Sequence, residues 1–107
     1  MARKEPFDLV YDTEVSEHLR AIESKYHAQI RKTIEDQLSH EADTETRNRK
    51  TLEPPAPFEA TWEIRFGPNN RFRVFYVVEE ESHEVQIVAI GVKKGNSLIG
   101  GGQEIDL

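Results

Sequence analysis

Cysteine is absent from the chain, which excludes a disulfide framework and a thiolate metal site and suits a cytoplasmic protein. Long apolar runs are missing too. Nothing in the sequence approaches a membrane span, and the start, MARKEPFDLV, has no hydrophobic stretch of signal-peptide length. Basic residues are in the minority, 14 Lys and Arg against 20 Asp and Glu. A net charge of −6 argues against non-specific binding of nucleic acid by the whole surface. His18, His27, His40 and His83 have no metal-ligand spacing, and neither a metal nor a cofactor is expected. No internal repeat is present. At 107 residues the chain reads as one domain, 1–107, with a single modest core and a glycine-rich C-terminal tail over 91–107.

What is present is concentrated in residues 61–95. Trp62, Ile64 and Phe66 alternate with Thr61, Glu63 and Arg65, and Phe72, Val74, Tyr76 and Val78 alternate with Arg71, Arg73, Phe75 and Val77. Period-two alternation predicts two strands of a sheet with one buried face. Gly67-Pro68-Asn69-Asn70 supplies the turn, because Gly and Asn tolerate positive φ and Pro fixes its own. Val85–Ile90 is apolar on both faces, which predicts a third strand in the sheet interior.

Register then constrains charge. Residues opposite each other in an antiparallel pair share a face, so Arg65 faces Arg71 or Arg73, through a three- or a five-residue loop. Glu63 lies on the same face, and the shorter loop sets it opposite Arg73. The third strand runs back along the second, so its exit, Gly91-Val92-Lys93-Lys94-Gly95, lies beside Arg71 and Arg73. Five cations (Arg65, Arg71, Arg73, Lys93, Lys94) and the Glu63 carboxylate are therefore expected to converge at one end of the sheet. The opposite hairpin carries Glu79, Glu80, Glu81 and Glu84, which leaves a basic site on an acidic protein.

Before this block, Phe7–Tyr11 reads as a short strand, and Asp12 or Thr13 as the cap of a helix. Val15, Leu19, Ile22, Tyr26, Ile30, Ile34 and Leu38 form a stripe of helical period. It fits one long helix, or two with a break near Ser24–His27, and is expected to cover the Trp62, Ile64, Phe72, Val74, Tyr76 face. Glu53–Pro57 is an extended linker, and Ser97–Ile99 has the composition of a short edge strand. The fold class is thus α+β, an antiparallel sheet of about four strands with an N-terminal helical layer on one face.

The segments EHLRAIESKYHAQIRKTIEDQL, NRKTL, APFEATWEIRFGPNNRFRVFYVV and AIGVKKGN followed by IGGGQE together resemble the RelE/ParE superfamily of bacterial toxins from type II toxin–antitoxin modules. The resemblance covers nearly the whole chain, and RFRVFYVV followed by AIGVKKGN is its most specific part. It implies a compact α+β toxin neutralised by a cognate antitoxin. RelE-like members cleave mRNA in the ribosomal A site and inhibit translation; ParE-like members poison DNA gyrase. Carried over by position, Arg65 and Arg73 match basic residues of the RelE-like hairpin, and Lys93 or Lys94 matches the basic residue after the third strand. Glu63 stands where another basic residue is expected, and Ile99 near the place of a C-terminal tyrosine.

Metal-free RNA cleavage needs a base for the 2′-hydroxyl, cations for the phosphate and a proton donor for the leaving oxygen. Arg65 and Arg73 suit the phosphate, since a guanidinium offers it a planar fork. Lys93 suits a second cation or the acid. Glu63 fits either the base or a cross-strand partner of Arg73. Arg71 and Lys94 join the candidate RNA-binding surface. Arg47, Arg49 and Lys50 fit either a track along the RNA backbone or a solvated loop. His83 lies in the far hairpin and is excluded from the site.

Overall fold

The computed structural model describes residues 5–105. Its elements in chain order are β1 (Asp8–Tyr11), α1 (Val15–Arg20), α2 (His27–Glu41), β2 (Arg49–Thr51), β3 (Trp62–Phe66), β4 (Phe72–Glu79), β5 (Glu84–Lys94), β6 (Ser97–Gly100) and β7 (Gln103–Ile105). Seven strands form one sheet in the order β2-β3-β4-β5-β6-β7, with β1 added to β5. The α+β class holds, but the sheet is larger than the four strands expected. The β1–β5 pair is also parallel, not antiparallel. Two short strands were invisible to apolar patterning: Arg-Lys-Thr in β2 and Gln-Glu-Ile in β7 carry almost none. The described part of the expected tail, residues 91–105, is accordingly strand and hairpin. Its first residues complete β5, and β6 and β7 follow as a hairpin. Residues 106 and 107 lie outside the described residues.

The helical stripe is broken where the sequence allowed a break. Backbone at Glu23 is extended (φ −53°, ψ 134°), and a single 3-10 turn, Ser24–Tyr26, leads into α2. The Ile22 carbonyl left open by the break accepts from His27 Nε2 at 2.7 Å, so the local polar group is satisfied. The start of α1 falls at Val15 with no side-chain cap, rather than with the Asp12 or Thr13 cap expected.

Val15, Ile22, Ile30, Ile34 and Leu38 pack with Ile64, Phe72, Val74 and Tyr76 in one core, which Leu19, Tyr26 and Trp62 flank half-buried. At roughly 25 cal/mol per Å² of apolar surface this burial is the main term holding helices to sheet. A smaller cluster of Ala60, Phe75, Val88, Ala89 and Leu98 occupies the reverse face. That explains why β5 is apolar on both sides. Opposite Phe75 and Tyr76 the β4–β5 register slips from Ala89 to Ile87. This bulge in β5 puts Val88 and Ala89 on the same side of the sheet.

One edge of β5 serves two strands. Glu84–Ile87 pair with β1 and Val92–Lys94 with β6. Ile90 lies in the gap between them, and its N–H donates to His18 Nδ1 at 3.1 Å. Only 7% of His18 is exposed, so α1 supplies a buried acceptor where no strand can.

Candidate functional site

The β3–β4 hairpin sets the geometry. Phe66 pairs with Phe72 and Arg65 with Arg73, so the five-residue connection is the one used. Gly67 has φ +83°, and a Cβ there would lie 2.4 Å from the Phe72 ring; any other residue would displace the ring or the turn. Asn69 and Asn70 also have positive φ, as their residue type allows. Glu63 consequently faces Phe75, not Arg73.

Glu63 nevertheless reaches Arg73 diagonally. Its carboxylate lies 3.7 Å from Arg73 Nη1, 3.8 Å from Arg65 Nε and 3.9 Å from Lys50 Nζ. Only 5% of Glu63 is exposed, and its Oε1 makes no hydrogen bond among the described residues. These separations are ion pairs, not hydrogen bonds. Arg73 is tethered on its other side, where Nε donates to the Asn70 carbonyl at 3.2 Å. Burial pulls the Arg73 guanidinium below the usual arginine range, Glu63 pulls it back up, and Arg65 adds to the lowering.

Beyond Arg73 the cations converge as their strands dictate. Arg71, Arg73, Lys93 and Lys94 line one open depression with Pro68, Asn69 and Gly95. The Lys93 N–H donates to the Arg71 carbonyl at 2.7 Å, which fixes the exit of β5 to the start of β4. Arg71 leaves strand geometry (φ −73°, ψ −23°), and its guanidinium lies 5.5 Å from the Tyr26 ring and 5.6 Å from that of Phe72. Cation–π contact of this kind holds a side chain that a turn alone would leave loose.

The second basic group does not stay together. Arg49 is 2% exposed and donates to Gln37 Oε1, to the Thr44 carbonyl and to Glu41 Oε2, each at 3.1 Å. It clamps β2 to the end of α2 and presents no guanidinium to a ligand, which corrects its assignment as an RNA contact. Arg47 is exposed in the turn, and Lys50 joins the Glu63 cluster instead. Ile99 pairs with Val92 in the β5–β6 ladder. His83 stacks on Phe7 with centroids 4.3 Å apart and donates to the Glu5 carbonyl, far from the arginines as expected. His18 is the residue that sequence reading missed. It sits on the helical stripe's flank with no local sign that β5 would need an acceptor.

The sheet topology and helical layer define a single-sheet α+β fold. No family model and no curated protein matches the chain. Among solved structures it is similar to the isolated RelE toxin of E. coli, at 18% sequence identity and a TM-score of 0.58. The match covers 82% of this chain and 85% of that one. The fold is therefore RelE-like. No helix among the described residues is long and apolar enough to cross a membrane.

Proposed function

We propose that this protein is the toxin of a bacterial type II toxin–antitoxin module, acting in the cytoplasm as an mRNA endoribonuclease on the ribosome. The observation that carries the reading is the convergence of Arg71, Arg73, Lys93 and Lys94 on one depression, with Arg65 beside Arg73 in the ladder. Like charges gain nothing from facing one another, so such a cluster is best explained by an anionic ligand.

In this reading the scissile phosphate sits on Arg73 and Arg65. Attack of the 2′-oxygen on phosphorus, with its proton passing to solvent water, gives a crowded, more negative phosphorane, which fixed guanidinium groups stabilise; losing one such group typically lowers the rate on the order of 10²–10³-fold. The 5′-oxygen leaves and takes a proton from the Lys93 ammonium, yielding a 2′,3′-cyclic phosphate and a 5′-hydroxyl end. Glu63 is the counter-ion that holds Arg65 and Arg73 apart and aimed. Its burial favours this role over that of base, since a base must reach the 2′-hydroxyl.

That same burial supports a second reading. With Glu63 covered and Ile99 in place of a tyrosine, the depression carries no exposed carboxylate, imidazole or phenol. Such a face also fits a non-nuclease toxin acting on DNA gyrase, or a member that only binds its antitoxin. Induced expression with parallel readouts separates them. Fragmented mRNA with normal supercoiling supports the nuclease; relaxed or broken DNA with intact mRNA supports the gyrase reading; neither effect leaves antitoxin binding alone.

A further inference from the structure

Behind the cationic depression lies a second cavity of about 350 Å³, lined by Ala21, Ile22, Tyr26, Phe72, Val92 and Ile99, with His18, Glu23, Arg71 and Lys94 among its polar walls. Its size is at the small end of ligand sites, which run from roughly 300 to 1,000 Å³. Arg71 and Lys94 line both hollows, so the two meet along one ridge. One is walled by cations and the turn, and half of the residues lining the other are aromatic or aliphatic. That pairing of a polar and an apolar hollow matches the two halves of a nucleotide.

We propose that this cavity receives one unstacked base of the RNA strand whose phosphate sits in the cationic depression. The proposal rests on the RNA-binding reading above and adds to it a site for a base on the helix side of the sheet. Single-stranded RNA is held by stacking its splayed bases on aromatic rings or guanidinium planes. Tyr26, half-buried and overlaid by Arg71, offers both surfaces. Phe72 backs the guanidinium from the sheet and is itself in tilted contact with Tyr26, at 5.2 Å between centroids. Lys25 Nζ also lies over the Tyr26 ring, 5.2 Å from its centroid, so a base entering here displaces an exposed cation rather than the ring contacts with Phe72.

A polar group is also available to orient the base. Because His18 Nδ1 accepts from Ile90, its proton is on Nε2. The ring also meets Phe58 edge-on, at 5.6 Å between centroids. The Cδ2–Nε2 edge lies beside Gly101, where a Cβ would be 3.1 Å from Cδ2 and 3.8 Å from Nε2. His18 lines both this cavity and the neighbouring one; in this proposal its N–H donor orients the base through a ring nitrogen or carbonyl.

The experiment is a fluorescence anisotropy titration with a short labelled single-stranded RNA. The RNA is used intact and with one abasic nucleotide at each position in turn. Wild type, Tyr26→Phe, Tyr26→Leu and Arg73→Ala proteins are compared at fixed salt. An abasic nucleotide at one position should weaken binding on the order of ten-fold. Tyr26→Leu should weaken intact RNA to a similar degree and add little to the abasic loss, while Tyr26→Phe binds like wild type. The abasic scan on wild type stands even where a Tyr26 variant fails to fold. A flat scan with binding abolished by Arg73→Ala overturns the base site and leaves the phosphate site standing. Wild type with no affinity for RNA overturns both. Tyr26→Leu that binds RNA normally but loses the antitoxin assigns the cavity to a protein and overturns the proposal.

Discussion

Replacing Glu63 by Gln preserves its shape and removes the carboxylate that pairs with Lys50, Arg65 and Arg73 among the described residues. Each ion pair at about 4 Å contributes on the order of 4 kcal/mol of attraction at an effective dielectric near 20. Half-exposed Lys50 and one-third-exposed Arg65 recover most of their share from water. Arg73, with 14% of its side chain exposed, recovers least. Against the lost attraction stands the burial penalty of the carboxylate, several kcal/mol, which the amide escapes. The net is a destabilisation of about 1–3 kcal/mol, and at roughly 4–5 °C per kcal/mol for a domain of this size Tm falls by roughly 4–15 °C. RNA binding should change in the opposite direction. One more net positive charge at the clamp tightens binding and steepens the salt dependence by about 0.7 in log K against log salt. The assays are thermal melting and anisotropy at several salt concentrations. Unchanged Tm and affinity, with cleavage lost, would refute the counter-ion role and make Glu63 the base.

Other outcomes follow from the packing. Arg49→Leu should cost about 2–4 kcal/mol in urea unfolding, because it strips the clamp between β2 and α2, and should leave RNA affinity of the folded protein unchanged. Tyr76→Phe removes the 2.8 Å bond from its buried hydroxyl to the Ala42 carbonyl and should cost about 1–3 kcal/mol by the same measurement. His18 makes stability depend on pH. Burial lowers its pKa from 6.5, opposed by Glu14 and Glu17. Between the lowered value and 6.5 the unfolded chain binds more protons, so stability rises with pH through that window and is lost below it. His18→Leu should flatten this slope and cost about 1–3 kcal/mol above it, since the Ile90 N–H is left unpaired.

How much of this was legible in the sequence depended on which signal a residue gave. Alternation gave β3 and β4 within a residue, and parity limited Arg65 to two partners, of which Arg73 is the one used. The choice between them was set by the Asn69–Asn70 backbone, whose left-handed conformation lengthens the turn. The convergence of Lys93 and Lys94 with Arg71 and Arg73 followed from chain direction alone. By contrast, β2 is a strand because Arg49 is anchored from α2, a long-range cause with no local pattern. Arg47, Arg49 and Lys50 looked equivalent in sequence, yet one is buried, one is exposed and one pairs with Glu63. The His18–Ile90 bond depends on β1 and β6 leaving a gap along β5, which no window of sequence contains.

On the proposed reading, the cationic end of the sheet acts on RNA. The most direct measurement is cleavage of mRNA on programmed ribosomes by purified wild-type, Arg65→Ala and Arg73→Ala proteins, with Tm recorded for each. Cleavage by wild type, falling on the order of 10²-fold or more for Arg73→Ala while the variant stays folded, is the predicted result. Absence of cleavage by wild type, with toxicity in cells still abolished by alanine at Arg65 or Arg73, would contradict the nuclease reading and give the cations to a protein target.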